Sequence, residues 1–187
     1  TTLTFTVAGV ATGQTINGET ISTTTTATAI GFGTLASGTP VLAAQDLTVT
    51  TNAQNGFIVT VRQDQNLLSS NGADIDTFQD GANTATPIPW VGPAATLGNE
   101  NTYGHMGLTS DDTDLNANEF YSGAVIKYAG NFFATTTRTI FSHNAPSDGT
   151  TQNIGKARVG YKIQVSALQE AATDYTNRLI YVCTPTF

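Results

Sequence analysis

The chain has 187 residues, of which 39% are hydrophobic and only 11% are charged, with a formal net charge of −7. Such a length suits one domain. The low count of seven Lys and Arg leaves no basic patch of the kind that nucleic-acid binding requires, and it also disfavours anionic membrane surfaces. No apolar run approaches the roughly 18 residues of a membrane span, so we expect no membrane insertion of the mature chain.

Threonine makes up about a fifth of the chain, and it is a β-branched residue that favours strands. The first ten residues, TTLTFTVAGV, alternate polar and apolar side chains, which predicts a half-buried strand with Leu3, Phe5 and Val7 on one face. The chain also begins without an initiator Met, so we expect that an export signal has been removed.

The next segment, residues 15–35, is predicted as strand, turn, strand, with Asn17-Gly18 as the turn. Two runs of adjacent threonines are interpreted either as extended strand or as sites of O-linked sugar, and for the first run a plain strand is the favoured interpretation. The candidate O-glycosylation residues are Thr23, Thr24, Thr25, Thr26, Thr135, Thr136 and Thr137.

Residues 46–63 carry the clearest hairpin pattern, with NAQNG as its turn and Phe57, Val59 and Val61 on one face of the second strand. Periodicity then fades over residues 64–119, which hold most of the Asp, Asn, Pro and Gly residues. We expect a loop-rich excursion there, with short strands of its own as one option, because a long irregular stretch is unusual in a compact domain.

Alternation returns in residues 119–130, 135–143 and 157–168, and the last strand lies in TNRLIYVCTPTF. This last strand is apolar on both faces, which predicts a central, buried position. About ten short strands and almost no helix predict an all-β protein, an antiparallel β-sandwich with Ig-like, Greek-key or jelly-roll-like connections. The domain boundaries we expect are an N-terminal arm at residues 1–13, with a hinge between Gly9 and Gly13, and one sandwich at residues 14–187.

Catalytic motifs are scarce. Only two histidines, His105 and His143, and one cysteine, Cys183, are present, and we interpret them as hydrogen-bonded, surface or core residues. The chain is therefore not expected to be an enzyme, although a carboxylate pair for glycoside hydrolysis has no fixed spacing and stays open as a third hypothesis.

A cluster of oxygen-bearing side chains lies in SDDTDLNANEF, where alternate residues could converge on Ca²⁺. The candidate ligands are Asp112, Asp114, Asn116, Asn118 and Glu119. The start resembles an EF-hand loop, but Ala117 stands where that loop has Gly and Gly123 where it has Glu, so a solvated acidic turn is the favoured alternative. A second, weaker candidate consists of Asp74, Asp76 and Asp80. No other cofactor is expected.

Trp90 follows a Pro-rich stretch, and with Tyr103 it could form a platform on which a sugar ring stacks. The favoured alternative is that Trp90 caps the core beneath its loop.

Two stretches carry a resemblance to a known class of protein. LTVTTNAQNGFIVTVRQDQNLLSSNGADIDTF and YKIQVSALQEAATDYTNRLIYVCTPTF resemble secreted, Thr-rich bacterial surface β-sandwiches, and together they cover about a third of the chain. Among such proteins, the N-terminal strand is similar to the donor strand of pilus and biofilm-fibre subunits. That resemblance implies a homopolymer on the cell surface, in which Leu3, Phe5 and Val7 fill a groove of the neighbouring subunit.

Three functions follow as hypotheses. The first is a structural subunit of an extracellular filament assembled by strand donation. The second is a secreted carbohydrate-binding or adhesin module, with residues 64–119 as the binding surface and calcium as a structural ion. The third is the secreted hydrolase named above.

Overall fold

The computed structural model describes residues 2–187. This part of the chain is nearly all β and includes only two single-turn 3₁₀ helices, Glu100–Thr102 and Leu115–Ala117. The strands are β1 Leu3–Gly9, β2 Thr15–Ile16, β3 Glu19–Thr20, β4 Val41–Thr51, β5 Phe57–Gln63, β6 Leu67–Leu68, β7 Asp74–Thr77, β8 Ile88–Pro89, β9 Gly104–Ser110, β10 Tyr121–Ser122, β11 Val125–Tyr128, β12 Arg138–His143, β13 Ser147–Asp148, β14 Lys156–Val165 and β15 Leu179–Pro185.

The largest sheet has the order β1-β4-β14-β9-β7-β6, and β13 extends the β14 side of β4. It is a mixed sheet because β7 runs parallel to β9, with Asp76 opposite His105. The expectation of a purely antiparallel architecture is therefore wrong at this pair. The residues between β7 and β9 form a crossover long enough to bring the chain back in the same direction.

A separate three-stranded sheet has the order β12-β5-β15. The expected hairpin at residues 46–63 is wrong in its pairing, since β4 and β5 are both strands but belong to different sheets. The turn between them passes Gly56, whose φ is +73° and whose α-carbon lies so close to His143 that an added Cβ would be 1.8 Å from the His143 carbonyl oxygen. This close approach explains why the chain changes sheets at a glycine.

The main core takes buried side chains from both of these sheets, including Val49, Val59, Leu108, Phe141 and Tyr161. A second apolar cluster holds Ile16, Ile21, Leu42, Ala44, Phe78 and Tyr128. In β4, Leu47 and Val49 belong to the main core, whereas Leu42 and Ala44 belong to the second cluster. Alternate positions of a strand face opposite sides, so the large sheet is covered on both faces.

Two other expectations are corrected by the strand positions, whereas residues 64–119 do contain strands of their own, which was one of the expected options. These strands are β6 to β9, and β9 is fully buried in the interior of the large sheet. No strand covers Thr23–Thr26, although the turn at Asn17-Gly18 does join the two-residue strands β2 and β3. The last strand, β15, lies at an edge of its sheet and not at its centre.

Basic side chains are confined almost entirely to strands. Six of the seven Lys and Arg residues lie within a strand, and Arg178 directly precedes β15. The best-connected is Arg158, which pairs with Asp46 at 2.6 Å and donates to the main-chain oxygen of Thr15 at 2.7 Å and to Gln14 Oε1 at 2.8 Å. These contacts fix the start of β2 to the large sheet.

Candidate assembly site

The N-terminal strand β1 pairs antiparallel with β4 of its own chain, from Leu3 opposite Thr51 to Gly9 opposite Gln45. Its Leu3, Phe5 and Val7 side chains are half-buried against the main core, and the threonines between them are exposed. The alternation is confirmed. In the single chain, however, the apolar face packs against residues of the same chain, which differs from the expectation that it packs in a neighbour.

The end of β1 is held by Thr25. Val10 is buried, its N–H donates to Thr25 Oγ1 at 2.9 Å, and its carbonyl oxygen accepts from Thr25 N at 3.0 Å. A Cβ added at Gly9 would lie 2.2 Å from the Thr25 carbonyl oxygen. Gly9 and Val10 therefore belong to the fixed part of the strand, and the expected hinge begins only after Val10.

The link that follows is an exposed turn over residues 11–14. The Gly13 N–H donates to the Ile21 carbonyl oxygen at 2.9 Å, and the Gln14 N–H makes only a long bond of 3.4 Å to the Ala11 carbonyl oxygen. Gly13 has a φ of +85°, which favours glycine. The turn is also held by Thr12, whose N–H donates to Thr24 Oγ1 at 3.0 Å, and by Gln14, whose carbonyl oxygen accepts from the Ile21 N–H at 2.7 Å. It is therefore an exposed connection between Val10 and β2 that can open only if these hydrogen bonds break.

One edge of β15 pairs with no strand in residues 2–187. Asp64 N donates to the Arg178 carbonyl oxygen and Thr186 N donates to the Gly56 carbonyl oxygen. Because main-chain groups alternate in direction along an antiparallel strand, the N–H groups of Leu179, Tyr181 and Cys183 face away from β5, and no hydrogen bond in residues 2–187 uses them.

The side chains of β15 are apolar on both faces. Leu179, Tyr181 and Cys183 pack against the main core. On the outer face Val182 is 49% exposed, next to Ile58 of β5 at 43%. An edge strand with this composition offers both hydrogen-bonding groups and apolar surface to another strand.

A cleft of about 1200 Å³ lies between residues 27–37 and residues 163–181. Ile30, Phe32 and Leu35 pack against the main core from an extended segment that forms no strand. Tyr175 and Leu179 line the other wall. Aromatic and polar groups therefore line one concave surface beside β15.

The sequence-predicted calcium loop does not bring its carboxylates together. Asp112 is fully buried, and it accepts from the main-chain N–H groups of Ser142 at 2.8 Å and Asp114 at 3.0 Å. Burial, the largest cause, raises the pKa of Asp112 to about 6, while those hydrogen bonds oppose the rise. The carboxylate therefore ties this loop to β12.

The remaining candidate ligands of this loop have other partners. Asp114 lies 3.4 Å from His143, Glu119 pairs with Arg138 at 2.9 Å, and Asn116 donates to Glu119 at 3.1 Å. Asn118 has a buried side-chain oxygen without a partner. Among the described residues no group of three or more His, Cys, Asp and Glu side chains is arranged to hold a metal ion.

The two threonine runs differ in accessibility. Thr25 is 6% exposed, and its hydroxyl donates to the Ala44 carbonyl oxygen at 2.5 Å, so its place in the folded chain is incompatible with a sugar. Of its neighbours, Thr24 and Thr26 are exposed and Thr23 is half-buried. All three residues of the second run, 135–137, are exposed.

Trp90 packs beneath its loop. Its indole N–H donates to Gln164 Oε1 at 2.8 Å, and its ring stacks on Phe78 with centroids 4.8 Å apart. His105 lies edge-on to both rings, and its Nε2 lies 2.9 Å from the Val91 carbonyl oxygen. Burial lowers the pKa of His105. The Trp90 ring therefore contacts Phe78 and His105 within the fold. This packing favours the interpretation that Trp90 caps the core over the alternative that it forms a platform for a sugar ring.

No family model matches the chain, and the comparison with curated proteins finds no relative. None of the helices in residues 2–187 is long and apolar enough to cross a membrane.

Proposed function

We propose that this chain is a structural subunit of an extracellular filament, in which β1 of each copy takes the place of β1 on the next copy. The observation that carries this proposal is that a complete edge strand, apolar on one face, is joined to the rest of the chain through the exposed turn at residues 11–14. The low-charge, Thr-rich composition supports a location outside the cell. In this assembly the seven-stranded and three-stranded sheets would act as the two layers of a β-sandwich.

In an exchange of this kind an identical strand from the neighbour remakes every contact that the departing strand gives up. The main cost is the opening of the turn at residues 11–14 and of its hydrogen bonds to Thr24 and Ile21. Residues 2–10 would move as a unit. The two hydrogen bonds between Val10 and Thr25 would form again with Thr25 of the neighbouring copy. The turn would open into an extended connection between subunits. A head-to-tail exchange does not close on itself, so it can propagate as a helical filament.

The test uses the exposed pair Thr4 and Thr50, which are directly opposite each other on β1 and β4. In a Cys183→Ser background, Thr4→Cys with Thr50→Cys places two thiols at this pair. Filaments assembled under reducing conditions and then oxidised should give a ladder of covalent oligomers on a non-reducing gel. Monomers oxidised before assembly should be locked and should form no filaments.

The matched control is Thr4→Cys alone in the same background, for which we expect no oligomers beyond dimers. If the double variant forms filaments but all of its disulfides lie within single chains, β1 remains paired with β4 of its own chain during assembly. Strand exchange would then be wrong. Filaments that form equally well from locked monomers would contradict the proposal as well.

The cleft beside β15 favours a second candidate, a secreted adhesin or carbohydrate-binding module. Phe32 and Tyr175 offer aromatic rings there, and the exposed Glu170 and Arg178 offer polar groups, a combination suited to sugars. This function predicts retention of monomers on a polysaccharide column and loss of retention in Phe32→Ala. Elution of wild type and variant in the void volume would exclude it.

A further inference from the structure

Two unpaired side-chain oxygens belong to residues that meet at β7, Asn66 and Asp76, and a third, that of Gln169, lies beside Gly104 of β9. Within residues 2–187, five buried side-chain oxygens have no hydrogen-bond partner, and three of them belong to Asn66, Asp76 and Gln169. Gln169 Nε2 donates to the main-chain oxygen of Asp74 at 2.8 Å, so its amide lies against the same strand. Buried polar groups are normally paired, so the unpaired oxygens of Asn66 and Asp76 call for a donor or a cation that residues 2–187 do not supply.

The charge around Asp76 is of one sign. Its side chain is 8% exposed, with Oδ2 unpartnered, and the charged groups that act on it are Asp74, Glu100 and Asp80. Burial, followed by Asp74, raises the pKa of Asp76 to about 6. The folded chain therefore holds this carboxylate without a compensating cation, which is costly.

The amide of Asn66 occupies the position that a cation would take. Its Nδ2 lies 2.9 Å from Asp74 Oδ2 and 3.0 Å from Asp76 Oδ1, so one donor bridges two carboxylates. Rotation of this amide by half a turn exchanges its nitrogen and oxygen. The unpartnered Asn66 Oδ1 would then face the two carboxylate oxygens, and three oxygens would surround one point.

We propose that Asn66, Asp74 and Asp76 form a binding site for Ca²⁺, with the amide turned so that its oxygen joins the two carboxylates. Calcium suits this set because it accepts carboxylate and amide oxygens in flexible geometry and tolerates water in its remaining positions. Mg²⁺ requires a near-ideal octahedron, which two carboxylates from the four-residue strand β7 and one amide from the bend before β6 do not supply. The site is independent of the proposed filament function.

The test compares thermal melts of the full chain in EDTA and in millimolar CaCl₂. A ligand that binds only the folded state stabilises it, so calcium should raise the melting temperature of wild type by several degrees. Asp76→Asn should remove that rise and should melt at or above wild type in EDTA, because it relieves the buried repulsion. Asp74→Asn should also remove the rise in melting temperature. Because Asp74 is only half-buried, this second variant tests the site even if Asp76→Asn fails to fold.

The matched control is Asp114→Asn in the other acidic loop, which should keep the full calcium effect. The proposal is overturned if wild type melts identically with and without calcium, or if Asp114→Asn and not Asp76→Asn removes the rise. It is also overturned if Asp74→Asn and Asp76→Asn are both destabilised in EDTA, since their carboxylates would then be structural. A rise of equal size with MgCl₂ would contradict the assignment to calcium.

Discussion

Phe5 on β1 and Tyr181 on β15 meet edge to face, with ring centroids 6.4 Å apart and ring planes at 67°. Each ring belongs to the outermost strand of its sheet, so the pair connects the edges of two sheets on one side of the molecule. The Tyr181 hydroxyl is fixed by a bond of 2.8 Å to Gln45 Oε1 on β4. Phe5 therefore packs onto a residue whose position is already set by the rest of the chain.

Strand parity gives the first prediction. Phe5→Asp places a charge against Tyr181 and the main core, and we expect a loss of about 2–4 kcal/mol in the free energy of unfolding together with loss of filaments. Thr4→Asp changes the exposed face of the same strand and should cost less than about 1 kcal/mol. Urea unfolding and electron microscopy of both variants check this, and equal effects would contradict the described side-chain directions.

The contact at the end of β1 gives the second prediction. Gly9→Ala introduces a Cβ that would lie 2.2 Å from the Thr25 carbonyl oxygen, so the backbone must shift, at a cost of about 1–3 kcal/mol. Gly31→Ala is the control, because an added Cβ there meets nothing within 4 Å. Denaturant unfolding should separate the two variants, and a neutral Gly9→Ala would show that β1 does not end against Thr25.

The buried carboxylate of Asp112 gives a pH dependence. Its pKa is raised from 3.8 to about 6 in the folded chain, so the folded state binds this proton more tightly than the unfolded state. The stabilisation is fully present below pH 3.8 and is lost as the pH rises through about 6. It amounts to at most about 3 kcal/mol, at 1.36 kcal/mol per pKa unit.

The measurement is the free energy of unfolding of wild type and Asp112→Asn between pH 4 and 7.5, both in EDTA. The wild-type stability relative to the variant should rise as the pH falls. A difference that stays constant over this range would mean that Asp112 is not protonated in the folded chain near pH 6.

Alternation of side chains was sufficient to predict several strands and their buried faces. Leu3, Phe5 and Val7 on β1 and Phe57, Val59 and Val61 on β5 do share one face each, because a period of two is a property of a single strand. Alternation does not specify the partner, and β4 and β5 illustrate this, since they look like a hairpin and yet join different sheets.

The buried strand β9 could not be predicted from its composition. Its residues GHMGLTS include two glycines and three polar side chains. Gly107 is explained by Phe78, whose Cβ would lie 2.9 Å from a Cβ added there, and Ser110 donates to the Ile140 carbonyl oxygen at 2.5 Å. These partners come from distant parts of the chain, so a local pattern does not contain them.

The acidic segments also show that a local sequence pattern does not contain contacts made by distant residues. Spacing grouped Asp112 with Asp114, but the main-chain N–H of Ser142, 30 residues away, holds Asp112 inside. Spacing also paired Asp74 with Asp76 and did not include Asn66, which reaches both from the preceding strand region.

The confinement of basic side chains to strands affects how the folded chain meets trypsin-like proteases, which cut after Lys and Arg. A protease must draw an extended, unpaired stretch of backbone into its active site, and strands within a sheet do not supply one without local unfolding. Arg178 is the one basic residue outside a strand, and its N–H is held by Asp64 at 2.8 Å. Resistance to digestion therefore follows from where the cleavable bonds lie, and a folded chain of this kind would persist wherever such proteases are the main agents of turnover.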